Sequence, residues 1–180
     1  MSNVLLSGVI GEIGVCEAFH RLQAYFHCEF IHNFPLRGVR SMQQIDAILL
    51  TPFGFYSVEI KNWDCTLYID PSAKYWLAEY PNRQILVPSP IRQNQEHVRY
   101  LRRSTYRPFN SLIIFPDEAI LRPQTSSTIN ISGLGDFFRS KPTIYTDKDI
   151  DDTYKLLLKL KKSNEAEMVA SFLLKGGNRT

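Results

Sequence analysis

Apolar residues in the segment 12–26, EIGVCEAFHRLQAYF, recur at helical intervals: Ile13, Cys16, Phe19, Leu22 and Phe26 share one face, which predicts a helix. Residues 28–36, CEFIHNFPL, read as a strand that runs into a loop holding Arg37, Gly38 and Arg40. In the next two segments, QQIDAILL (43–50) and FYSVEIKN (55–62), apolar residues stand on both faces, the pattern of central strands. TPFG between them supplies the proline and glycine of a short turn. TLYID (66–70) and KYWLAEY (74–80) predict a further strand pair with Pro71 at the bend. Helical spacing returns in PIRQNQEHVRYLRR (90–103), with Pro90 in the first turn. NSLIIFP (110–116) reads as a short buried strand and PTIYTD (142–147) as another, while residues 117–141 read as loop. DKDIDDTYKLLLKLKKS (147–163) begins with acids and ends with lysines, the order a helix dipole favours. EAEMVASFLLKGG (165–177) predicts a last amphipathic helix ending on Gly176 and Gly177. This succession predicts an α/β or α+β fold with a central mixed β-sheet flanked by helices.

The strand SVEIKN (57–62) breaks its own pattern. Side chains two apart on a strand point the same way, so Glu59 and Lys61 share a face inside an apolar run. If TPFG is the loop, Leu50 faces Phe55, and counting back along both strands sets Asp46 opposite Glu59. Opposed residues hold their Cβ atoms about 4.5–5.5 Å apart. Two carboxylates at that distance repel unless one stays protonated or a cation lies between them. A hard divalent ion such as Mg²⁺ suits oxygen ligands of this kind. A neighbouring lysine can orient water or stabilise charge on a phosphoryl group. The plain alternative is a Glu–Lys or Asp–Lys ion pair at a sheet edge. Ile45, Ala47, Ile48, Leu49, Val58 and Ile60 instead flank these acids with apolar groups on both faces, which favours a central position.

Four segments in order carry a family likeness: GVIGE (8–12), QID (44–46), GFYSVEIKNW (54–63) and SPIRQ (89–93). With them the chain resembles the nuclease-related domain family (NERD), whose fold is similar to that of the restriction-endonuclease-like nucleases. The likeness spans about residues 8–115. It departs from the family pattern at Ser89, where asparagine is usual, and at Cys65, where glycine often stands. The resemblance implies that Asp46 and Glu59 bind a metal, and the main-chain carbonyl of Ile60, between Glu59 and Lys61, is the expected further ligand. It further implies that Lys61 is the catalytic lysine and that Glu12 and Gln93 approach the same site from two helices. Taken alone, Glu12 at a helix start is also what the helix dipole favours.

Charge alters this picture little. The net charge of +3 permits a polyanion partner without demanding one. Arg92, Arg99 and Arg103 fall on one helical face, a candidate contact for phosphates or simply a solvated surface. His97, a turn after Gln93, reads as a structural residue. Three widely spaced cysteines make neither a zinc motif nor a disulfide framework, and they fit a reduced cytoplasmic protein. There is no apolar run of membrane-spanning length, and without a P-loop pattern no nucleotide cofactor is expected. The expectation is one domain over 1–180, with C-terminal helices about 147–175. It would act as a Mg²⁺- (or Mn²⁺-) dependent nuclease on DNA, with RNA as the other possible polynucleotide. The alternative is a non-cleaving nucleic-acid-binding or protein-interaction module on the same fold.

Overall fold

The computed structural model describes the backbone over residues 2–37 and 42–176, and side chains over 11–36 and 43–170. Helix α1 (Ser2–Leu22) leads into strands β1 (Glu29–Arg37), β2 (Met42–Thr51) and β3 (Gly54–Ile60). Strands β4 (Thr66–Tyr68), β5 (Tyr75–Tyr80) and β6 (Arg83–Pro88) follow, then helix α2 (Pro90–Thr105) and strand β7 (Asn110–Phe115). Strands β8 (Ile120–Arg122) and β9 (Thr128–Asn130), helix α3 (Leu134–Arg139) and helix α4 (Asp147–Gly176) complete the order.

A five-stranded mixed sheet, ordered β1-β2-β3-β7-β9, forms the centre, and a four-stranded sheet, β6-β5-β4-β8, packs beside it. β1 pairs antiparallel with β2 and β2 with β3, while β3, β7 and β9 run parallel. Strand alternation sorts the central side chains into two layers. Ala47, Leu49, Tyr56 and Val58 join Val15, Phe19 and Leu22 of α1 and Phe138 of α3. Ile48, Leu50 and Phe55 join Val98 and Leu101 of α2 and Ile150 and Leu157 of α4. A third cluster ties Ile113 and Phe115 to Leu67, Trp76 and Val87 of the smaller sheet. Asp46 and Glu59, in step with Ile48 and Phe55, therefore face the α2 side.

The β2–β3 turn has the register expected from TPFG: Leu50 pairs with Phe55 and Thr51 with Gly54. The Thr51 hydroxyl closes the turn, donating to the Gly54 carbonyl at 2.9 Å and accepting from the Phe53 N–H at 3.2 Å. Gly54 has φ +155, and a Cβ there would lie 2.9 Å from the Tyr56 hydroxyl. Tyr56 is buried and has little room to give way.

Several expectations need correction. Helix α1 begins at Ser2, so Glu12 stands well inside a helix rather than at its start. Strand β6 makes a hairpin with β5, and together with β4 and β8 it builds a second sheet. Residues 117–141 are not loop throughout but hold β8, β9 and α3, each at most 6 residues long and too short to show a period. Residues 142–146 form no strand. The N–H groups of Ile144 and Tyr145 both donate to the Pro52 carbonyl, at 2.8 and 3.0 Å, and Tyr145 stacks on Phe55 with ring centroids 4.0 Å apart. The two C-terminal helices are one, because Asn164 is no cap. Its amide donates to the Pro35 carbonyl and the Tyr100 hydroxyl, both at 2.8 Å, and so is satisfied in mid-helix.

Gly54→Ala should lower the unfolding free energy by about 1–3 kcal/mol, the cost of a strained backbone position. Urea denaturation checks this, and an unchanged midpoint would show that the turn tolerates a side chain.

Candidate active site

The β2–β3 ladder stops at Ala47–Val58, one step before Asp46 and Glu59. At that step the Ile60 N–H donates to Asp46 Oδ2 at 2.8 Å instead of to a strand carbonyl. On the other side, the Lys61 N–H continues the parallel pairing and donates to the Ile114 carbonyl at 3.0 Å. Backbone groups of successive strand residues point to opposite sides, so the Ile60 carbonyl lies on the Asp46 side. Asp46, Glu59 and this carbonyl converge where the strands part, at the carboxyl end of parallel strand β3.

Helix α2 roofs the site, and Asn94 fixes it there. The Ser57 hydroxyl donates to Asn94 Oδ1 at 2.6 Å. The Asn94 amide donates to the Ser57 carbonyl at 2.7 Å and to the Ser111 hydroxyl at 3.0 Å. Asn94 is fully buried, so these bonds are costly to lose. They hold Gln93 and His97, one turn apart, over the end of β3. The Lys61 ammonium donates to Glu59 Oε1 and lies 3.4 Å from Gln93 Oε1. It also sits 5.9 Å from the Trp63 ring centre. α1 approaches from the opposite layer. A Cβ on Gly11 would come 3.2 Å from Asn62 Cβ, so the glycine lets the helix lie against the strand end and brings Glu12 within the field of Asp46.

The electrostatics are those of crowded acids. Glu59 is 1% exposed, and burial, then the Asp46 charge, push its carboxyl up to about 7 against the pull of Lys61. Burial also raises Asp46, opposed by the Ile60 N–H and Lys61. Glu12 is raised by burial and then by Asp46. Burial, helped by Lys61, lowers His97 to about 4, so its imidazole is neutral. Among the described residues, Glu59 Oε2 and His97 Nδ1 are buried atoms without a hydrogen-bond partner. Three acids with raised affinity for protons, one with an unpartnered oxygen, fit a divalent cation.

Asp46, Glu59, Ile60, Lys61 and Gln93 thus come together, with Glu12 alongside. The arginine stripe does not join them. Arg92, Arg99 and Arg103 are exposed, whereas Asn94, His97, Val98 and Leu101 form the buried face of α2. Arg99 pairs with Glu96 at 2.7 Å. Arg40 and the side chain of Arg37 lie outside the described residues. Trp76 is a core residue of the smaller sheet. His97, read from the sequence as structural, and Asn94 are not among the predicted site residues, although both interrupt the apolar face of α2 with polar side chains.

The nuclease-related domain (NERD) profile matches residues 7–116, a span that takes in all four motif segments. The chain belongs to the NERD family. No curated protein and no solved structure matches it. Membership makes the function nuclease-related, and nuclease-like domains of this kind usually depend on a metal ion. This NERD chain has another group of potential ligands, His27, Glu29 and Asp151, whose donor atoms lie within 4.8 Å of one another. That group stands at the start of β1, the far end of the sheet from Asp46. Among the described residues, no helix of this NERD protein is long and apolar enough to cross a membrane.

The raised carboxyls give a signed pH dependence without metal. With Glu59 at about 7 folded and an ordinary value of 4.5, the native state keeps its proton while the unfolded chain loses it. Stability should fall between pH 5 and 8 by an amount on the order of 3 kcal/mol. Glu59→Gln should flatten this slope in chemical denaturation with a chelator present, and an equally steep slope in the variant would contradict the assignment.

Proposed function

We propose that this protein hydrolyses phosphodiester bonds in DNA with Mg²⁺ or Mn²⁺. The observation that carries the reading is the Lys61 ammonium on a buried Glu59 that lies within the field of Asp46, one step beyond the last β2–β3 pair. As a stability device this cluster is a poor choice, because burying ions costs several kcal/mol each and apolar residues would pack as well. As a catalytic centre it is coherent.

Asp46, Glu59 and the Ile60 carbonyl would hold the cation. When bound, the cation supplies Lewis-acid stabilisation of the charge that builds on the phosphate. Lys61 orients the attacking water as an ammonium or takes its proton as the free amine, and Gln93 keeps the side chain over the β3 end. Glu12 orients water from the α1 side or serves a second cation. Arg92, Arg99 and Arg103, on the outer face of α2, would meet phosphates away from the scissile bond and add sequence-independent affinity. RNA is the other polynucleotide this chemistry admits. We place the protein in the cytoplasm, where free Cys16, Cys28 and Cys65 stay reduced.

Circular single- and double-stranded DNA with Mg²⁺ or Mn²⁺ tests the reading. Wild type should cut it, and Lys61→Ala should slow cutting by about 10²–10⁴-fold, the usual worth of a proton-transfer group. The variant should still fold cooperatively, with a melting temperature lowered by the loss of the Glu59 partner, and the cutting assay is run well below it. Equal binding and no cutting by either protein would favour the non-cleaving module.

A further inference from the structure

Two of the unpartnered buried atoms face each other. His97 Nδ1 and Glu59 Oε2 lie 3.7 Å apart, with their side chains 3% and 1% exposed. This separation is too long for an N–H···O hydrogen bond. The two groups stand within ion-pair reach, yet neither atom makes a hydrogen bond. Buried polar groups in folded proteins are rarely left unsatisfied, and two aimed at each other point to something held between them. Ligands about 2.0–2.2 Å from one ion stand roughly 2.8–3.6 Å apart at octahedral to tetrahedral angles. The observed gap is close to that range. His97 also lines an open cavity of about 300 Å³ with Gln43, Gln44, Gln93 and Glu96, which offers an ion a way in.

We propose that His97 Nδ1 is a ligand of the site's metal ion beside Glu59 Oε2, so that the site prefers a transition ion of the Mn²⁺ class to Mg²⁺. The inference rests on the metal-dependent reading above and adds a ligand and a selectivity to it. Imidazole nitrogen suits first-row transition ions, whereas Mg²⁺ keeps to oxygen ligands and water. A ligand nitrogen must offer its lone pair, and the Nδ1 aimed at Glu59 has no hydrogen-bond partner. Asn94, on the same helix, fixes the distance of the imidazole from the strand.

The test uses Mn²⁺ alone and the full chain, with pulsed electron paramagnetic resonance to detect an imidazole nitrogen coupled to the bound ion. Because His27, Glu29 and Asp151 also gather donors, every protein carries His27→Ala. The His97-unaltered protein should bind Mn²⁺ with such a coupling. His97→Ala and the size-conserving His97→Gln should lose the coupling and weaken Mn²⁺ binding at least about tenfold, a loss typical of metal-site partners. Mg²⁺ binding should change little. Bound Mn²⁺ without nitrogen coupling, or a coupling that survives in His97→Gln, overturns the proposal and leaves His97 as a packing residue. A protein that binds no Mn²⁺, or binds it equally after Asp46→Ala, overturns the metal reading itself and this inference with it.

Discussion

Two carboxylates are held at one cross-strand position beneath a helix, and most of the molecule serves to keep them there. Left unpaired, a buried ion costs several kcal/mol; an exposed ion pair gains at most about 1 kcal/mol. The cluster therefore persists only because the scaffold leaves it no escape. Asp46 is held by the Ile60 N–H and Glu59 by Lys61. The ladder opens at the step where they meet. The repulsion left over is the part of the design that a cation would relieve.

What holds the acids in place is backbone geometry. The Pro52–Phe53 turn fixes which residues of β2 and β3 oppose each other, and a slip of one residue would turn Asp46 to the α1 layer. The Asn94–Ser57 pair then sets the height of α2 over that layer. Register and roof are separate devices. One sets the distance between the acids, and the other sets what Lys61 and Glu59 can reach.

Much of this was legible in the sequence, and the unread parts have physical causes. The hairpin register followed from TPFG, because a short turn leaves few alternatives. The cluster of Asp46, Glu59 and Lys61 followed from strand alternation. Strand β6 was missed because its apolar residues Ile85 and Leu86 are exposed on an edge and show no buried period. Helix α4 was split in two because Ser163 and Asn164 look like a break, yet Asn164 finds its partners across the fold. His97 read as a bland histidine because its environment comes from β3, nearly 40 positions away. The arginine face showed the opposite weakness: its period was real, but helical period alone does not say which way a face looks.

The shared carbonyl of Pro52 has a wider bearing. Through it, residues 144 and 145 clasp the turn that aligns the acids, although they lie beyond the span that matches the family. The same holds for the interior: Ile129 and Phe138, Ile150 and Leu157, and Ala119 complete its three apolar clusters, all from past residue 116. The span that matches the family and the span that packs together thus have different edges. A fragment cut at the end of the recognisable motif would keep each signature residue and lose the inner surfaces that hold them in line.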